Sequence, residues 1–164
     1  MEILYLHGLK GNLTREKREI LESYGHVHAP TIFYRDNHKV VNDLKNEYIN
    51  KDIDFVIGTS IGGFAAFYLA NAFQKSALLF NPALVTQSVK QEIPTYKSSK
   101  RNLKHVILGA KDDVVDPAET LNFLSNQLKT NTAFTINYRL DLAHRIPVEI
   151  FQEEVESFFK HLYF

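Results

Sequence analysis

DFVIGTSIGGFAAFYLANAF, running from Asp54 to Phe73, decides the reading of this chain. It begins with a short apolar run, Phe55, Val56 and Ile57, of the kind that suits a strand buried on both faces. Gly58-Thr59-Ser60-Ile61-Gly62 follows, a GxSxG pattern, and then an alanine- and aromatic-rich stretch expected to be a buried helix over 61–73. A strand, a tight turn and a helix in that order lift the serine to the carboxyl edge of a sheet. Gly58 and Gly62 suit the turn because a side chain at either would crowd the point where strand meets helix. The amide of Ile61, at the helix start, is a donor without an intrahelical partner and can face a developing oxyanion. The plainer reading of the same residues is a glycine-rich turn with a serine cap.

Working outward, short apolar runs alternate with longer amphipathic ones. Strands are expected at 3–7, 27–33, 54–58, 76–80, 104–109 and 133–138, and helices at 14–24, 37–50, 61–73, 117–129 and 147–162. In the second helix Val40, Val41, Leu44, Tyr48 and Ile49 form the apolar stripe. Pro117 opens the fourth, with Leu121, Leu124 and Leu128 on one face, and Asp116 stands ready to cap it. This alternation reads as βαβ units, hence an α/β fold with three layers and an open, mostly parallel sheet of about six strands. With 164 residues the chain makes one domain, 1–164. Within it the stretch 81–103 carries two prolines and a local excess of Lys90, Lys97, Lys100 and Arg101. It is either a surface connection or a small flap over the site.

Composition narrows the function classes. The absence of cysteine excludes a disulfide framework, a zinc-thiolate centre, an iron–sulfur cluster and thiol catalysis. Lys and Arg total 19 against 19 Asp and Glu, which argues against coating nucleic acid or an anionic membrane. No apolar run approaches the roughly 20 residues of a bilayer span, and MEILYLHGLK reads as a first strand instead of a signal peptide. A soluble, cytoplasmic protein is the expectation.

A nucleophilic serine needs a base, and the base needs a carboxylate. Of the seven histidines, His26 and His28 flank or occupy an early strand, His38 sits at a helix start, His105 inside a strand and His161 in the last helix. His144, in LDLAHRIP, stands instead between the last strand and the last helix, at the sheet edge expected for Ser60. GAKDDVVDP follows the strand HVIL at the same edge and offers Asp112 and Asp113 as the acid, with Asp141 more remote. The chain order Ser60, Asp112, His144 is that of Ser…Asp…His on an α/β sheet. Tyr5-Leu6-His7-Gly8-Leu9 ends the first strand. The Leu9 amide is the second oxyanion donor, Gly8 allows the close approach, and His7 holds the loop.

With these residues in place the chain resembles an α/β-hydrolase and, within that superfamily, the small YqiA-like esterase family. The resemblance runs through YLHG, GTSIGGFAA, FNPAL, GAKDDVVD and the Ala143-His144 pair. Superfamily acid loops often read Gly-x-x-Asp-x-x-Val, which Gly109, Asp112 and Val115 match in register and which favours Asp112 over Asp113. Asn81-Pro82 matches the family's Asn-Pro beside the elbow. The usual glycine before the histidine is replaced by Ala143, and the first antiparallel strands of larger relatives are missing, so the resemblance implies a trimmed α/β-hydrolase fold with no large lid domain.

The implied activity is a serine esterase, hydrolysing small or simple carboxylic esters through Ser60, Asp112 and His144. The Leu9 and Ile61 amides form the oxyanion hole, His7, Gly8, Phe64 and Asn81 support the site or line its cleft, and no cofactor or metal takes part. Leu84, Val85 and Val114 are further candidates for the cleft wall. KSSKR, at 97–101, leaves an acyl-coenzyme A thioesterase as an alternative. A non-catalytic binding or scaffold protein on the same fold is the other alternative. The expected partner is a small ester or thioester, with no nucleic acid and no membrane. Tyr163 and Phe164 are candidates for a dimer contact.

Overall fold

The computed structural model describes residues 1–97, 102–128 and 133–163. Its elements are β1 (Glu2–Leu6), α1 (Arg15–Glu22), β2 (His26–His28), α2 (Val40–Tyr48), β3 (Phe55–Thr59), α3 (Ile61–Phe73), β4 (Ser76–Phe80), β5 (Leu103–Lys111), α4 (Pro117–Asn126), β6 (Ala133–Ala143) and α5 (Val148–Tyr163). The strands form one sheet in the order β2-β1-β3-β4-β5-β6, every pair parallel. The three-layer α/β class expected from the alternation is therefore the fold found.

Each face of the sheet carries its own core. Leu4, Leu6, Val56, Leu79 and Val106 pack with α2, α3 and Leu124 of α4 on one side. Ile3, Tyr5, Ile57, Leu78 and Ile107 pack with α1 and α5 on the other. Alternate residues of each strand serve alternate faces, and both faces are covered, which is why the central strands read as unbroken apolar runs. Helix α3 is buried from Ile61 through Asn71, as its near-absence of polar residues requires.

The order of the strands places the site. From β1 the chain steps outward to β2 and then returns across β1 to β3, so connections leave β1 and β3 in opposite directions. That switch opens a crevice at the carboxyl ends of β1 and β3. Gly8 and Leu9 follow β1 and Ser60 follows β3, so both lie at its mouth.

Two strand ends and one helix face depart most from expectation. Strand β2 ends at His28, not 33, because Pro30 has no N–H to give a ladder and the Ile32 N–H donates instead to His7 Nε2 at 2.9 Å. Strand β6 continues past 138 to Ala143, and its register against β5 jumps from Gly109↔Arg139 to Lys111↔Ala143. In α4 Thr120 and Leu124 are buried and Phe123 packs against the core, while Leu121 and, just past the helix, Leu128 are exposed, so the stripe is not the one its leucines suggest. Of the 81–103 connection, residues 98–101, and with them most of KSSKR, lie outside the described residues. Leu84 is buried, Gln91 Nε2 donates to Tyr34 O at 2.9 Å, and Lys45 Nζ donates to Thr95 O at 2.7 Å. The Tyr163 side chain and Phe164 are also outside them.

Candidate active site

Ser60 sits between β3 and α3 with φ 55° and ψ −121°. A non-glycine residue at positive φ costs on the order of 1–3 kcal/mol and persists where its surroundings fix it. Here they do: the Ser60 N–H donates to Phe80 O, and Ser60 O accepts from Phe64 N and Ala83 N, all at 3.0 Å. The turn also needs space behind it. A Cβ on Gly62 would stand 2.2 Å from Leu6 O, so only glycine lets α3 start this close to the end of β1.

Across the crevice, Gly8 to Gly11 form a turn closed by the Gly11 N–H donating to Gly8 O at 3.0 Å, with Lys10 at φ 56°. His7 holds this turn. Its Nδ1–H donates to Gly8 O at 2.6 Å and its Nε2 accepts from Ile32 N, a pair of bonds that defines the neutral Nδ1–H tautomer. The Tyr34 hydroxyl, fully buried, donates to His7 O at 2.9 Å. Among the described residues, neither the Leu9 nor the Ile61 N–H has a protein acceptor.

The acid and the histidine meet after β5 and β6. His144 Nδ1 lies 3.0 and 2.9 Å from the two Asp112 carboxylate oxygens. Asp112 Oδ1 also accepts from the Val114 and Val115 N–H groups, each at 2.9 Å. Burial alone would raise the Asp112 pKa; the His144 imidazole and the two N–H groups outweigh it and hold the carboxyl below the usual aspartate range. The Asp112 side chain is fully buried, while that of His144 is 27% exposed. With the carboxylate accepting at Nδ1, Nε2 is left with its lone pair. Among the described residues, no hydrogen bond joins Ser60 Oγ to His144. Asp113 is exposed, Asp141 pairs with Arg139 at 2.7 Å, and Asp116 caps α4 by accepting from Ala118 N at 2.8 Å.

Two loops on different strands are aligned by Asn81, at φ 42° and 2% exposed. Its N–H donates to Ile107 O at 2.8 Å, its Oδ1 accepts from Gly109 N at 2.8 Å, and its Nδ2 donates to Ala143 O and His144 O at 2.9 and 3.3 Å. One side chain thus ties the end of β4 to the acid-bearing and histidine-bearing strands. The irregularity in β6 does the rest: it advances Ala143 to Lys111, one residue before Asp112. Gly109 makes room, since a Cβ there would lie 2.5 Å from Leu142 O.

Phe64 does not stand in an open cleft; it is buried in the core, edge-on to Tyr68, because α3 turns that face toward α2. Leu84 is buried as well, whereas Val85 and Val114 are exposed. Sequence reasoning missed Tyr34 and Lys17. Lys17 Nζ donates to Ile146 O at 2.6 Å, pinning the loop that follows His144 to α1. No motif signals either residue; both act through contacts more than 25 positions away in the chain.

The sequence profile of an uncharacterised protein family, UPF0227, matches residues 2–93. The chain belongs to this family. The matched span holds His7, Gly8, Leu9, Ser60, Ile61 and Asn81, while Asp112 and His144 lie beyond it. No curated protein matches the chain. Among solved structures it is similar to the Bacillus cereus carboxylesterase, at 16% identity and TM-score 0.66, covering 96% of this chain and 87% of that one. A variant of Arabidopsis thaliana SOBER1 aligns at 14% identity and TM-score 0.71 over 98% of both chains. MGS-M1, an α/β-hydrolase enzyme from a Medee basin deep-sea metagenome library, aligns at 18% identity and TM-score 0.61, covering 98% of this chain and 81% of that one. At these identities the likeness shows the fold, and this UPF0227 member has the α/β-hydrolase fold.

Proposed function

We propose that this chain is a serine hydrolase of small carboxylic esters, with Ser60 as nucleophile, His144 as base and Asp112 as its orienting acid. The observation that carries the reading is the Asp112–His144 pair at the same sheet edge as a serine held at positive φ. In the reaction His144 Nε2 takes the Ser60 Oγ proton as Oγ bonds to the ester carbonyl carbon. The Leu9 and Ile61 N–H groups, which have no acceptor among the described residues, stabilise the oxyanion. The tetrahedral species collapses, the alcohol leaves with the proton from Nε2, and the acyl group stays on Ser60. Water then attacks the acyl-enzyme as His144 takes its proton; the second tetrahedral species collapses, Nε2 returns that proton to Ser60 Oγ, and the carboxylic acid is released. Asp112 fixes the tautomer throughout and stabilises the imidazolium formed in each half-reaction.

The absence of a Ser60–His144 hydrogen bond fits a resting site in which the contact tightens on substrate binding. The loops that carry the acid and the histidine are tied together by Asn81, and the loop after His144 is pinned to α1 by Lys17.

The test is labelling of the native protein by a fluorophosphonate, with the modified residue located by mass spectrometry. Labelling confined to Ser60, and lost in Ser60→Ala and His144→Ala, is the expected result. An unlabelled serine in folded protein, or hydrolysis of p-nitrophenyl acetate that survives Ser60→Ala, overturns the assignment.

A further inference from the structure

A second cluster lies at the amino-terminal edge of the sheet, away from Ser60. Glu2 begins β1, and His26 and His28 begin and end β2, paired in the register Glu2↔His26 and Leu4↔His28. Alternation along each strand sends Glu2, His26 and His28 to one face, while Val27 points to the opposite core. Glu2 Oε2 is 2.9 Å from His26 Nδ1 and 2.5 Å from His28 Nε2. The three donor atoms lie within 4.8 Å of one another.

The cluster is held from behind and open in front. The Glu2 N–H donates to Asp54 Oδ2 and the His26 N–H to Met1 O, each at 2.8 Å. The His28 ring packs edge-on against Tyr48 of α2, with centroids 5.7 Å apart. The His26 side chain is 69% exposed, so the donors are reachable from solvent.

We propose that Glu2, His26 and His28 bind a divalent transition-metal cation of the zinc class, with water completing its coordination. Two imidazole nitrogens and one carboxylate oxygen are a ligand set such cations favour, and three protein ligands leave room for a fourth. Tetrahedral bonds of about 2.0–2.1 Å put neighbouring donors about 3.4 Å apart. The two contacts to Glu2 Oε2 therefore need to open by less than about 1 Å to admit the ion. Both imidazoles point a ring nitrogen at one oxygen. A cation between the three groups accepts a lone pair from each, with each imidazole carrying its N–H on the other ring nitrogen. The chain has no cysteine, so no thiolate competes for the ion. Because the ligands come from β1 and the edge strand β2, the bound cation would tie that edge to the sheet.

The experiment is a calorimetric titration of the untagged, chelator-treated full chain with zinc chloride, with thermal unfolding followed alongside. One equivalent is expected to bind and to raise Tm, since a ligand of the folded state stabilises it. Cobalt(II) in place of zinc is expected to give the visible absorption of a low-coordinate site. His26→Ala and His28→Ala are each expected to weaken zinc binding by at least about 10–100-fold and to remove the Tm gain. His38→Ala, an exposed histidine that faces Glu92 elsewhere, is expected to bind as the parent does. Glu2→Gln, which keeps the side chain's shape, gives a second route should a histidine variant misfold, and is also expected to weaken binding. Failure of zinc to bind, or binding that survives the combined loss of His26 and His28, overturns the proposal.

Discussion

Two of the histidine–carboxylate pairs in this molecule are built from similar parts but sit in different surroundings. In one, His144 after β6 meets Asp112 after β5, and the imidazole is partly open to solvent. In the other, His105 within β5 faces Glu154 of α5 at 3.6 Å, with side chains only 8% and 3% exposed. Glu154 does not depend on its histidine. Arg139 Nη1 and Asn137 Nδ2 both donate to its Oε1 at 2.8 Å. Burial pushes the Glu154 pKa up, but the contacts with His105, Arg139 and Asn137 more than reverse it and hold it below the usual range. His105 Nδ1 is engaged by Thr135 Oγ1 at 2.5 Å, while its buried Nε2 makes no hydrogen bond among the described residues and faces Glu154 Oε2 at 3.6 Å. A carboxylate neutralised by arginine and sealed under a helix contributes to structure. A carboxylate that accepts from Nδ1 of a partly exposed imidazole leaves Nε2 of that ring, with its lone pair, on the open side.

The largest expected effect separates the two histidines. His144→Ala is expected to lower kcat for ester hydrolysis by about 10⁴–10⁶-fold with little change in Tm. His105→Ala is expected to leave kcat within a few-fold and to lower Tm; steady-state kinetics and calorimetry on both variants check this. If His105→Ala instead abolishes activity while His144→Ala does not, the comparison is inverted and so is the site.

Substituting the acids sharpens the contrast. Asp112→Asn keeps the shape but favours the wrong tautomer, and a loss of about 10⁴-fold in kcat is expected. Glu154→Gln leaves Arg139 with Asp141 and Glu153 as partners and is expected to cost about 3 kcal/mol of stability, read by urea unfolding, with kcat nearly intact.

Asn81→Ala stands between these cases, because it touches no substrate yet sets the distance between the acid and histidine loops. Its removal leaves buried backbone groups unpaired, and a loss of about 1–3 kcal/mol is expected, together with a fall in kcat at unchanged KM. The smallest effect is on acid stability. Asp112 and Glu154 both have folded pKa values below their unfolded ones. Their stabilisation is complete above the unfolded values, about 3.9 and 4.3, and is lost as pH falls through the lower folded values. Thermal unfolding between pH 2 and 6 is expected to show a flatter acid limb in Asp112→Asn and Glu154→Gln than in the parent.

How legible these features are in the sequence depends on how local their causes are. The turn at Ser60 is readable because strand, glycines and helix are contiguous, and α3 spans Ile61–Phe73 as its composition predicts. The cap on α4 is readable for the same reason. Lys104 and Glu154 are not: each occupies a position that alternation or charge would send to solvent, yet both are buried. Lys104 Nζ donates to Asn71 Oδ1 at 2.5 Å and lies 4.8 Å from the Phe67 ring centroid, and burial lowers its pKa to about 7. Their partners lie on other elements, and no window of sequence contains both members of either contact.

The sequence alone determined the α/β class, the carboxyl-edge location of Ser60, Asp112 and His144, and the glycines that the sharp turn needs. These follow from periodicity and steric limits acting over a few residues. Tertiary structure decided the rest: the step in β6 that brings His144 beside Asp112, the Asn81 bridge between their loops, and the convergence of Glu2, His26 and His28. Each depends on which strands become neighbours and in what register, and that is set by packing across the whole sheet.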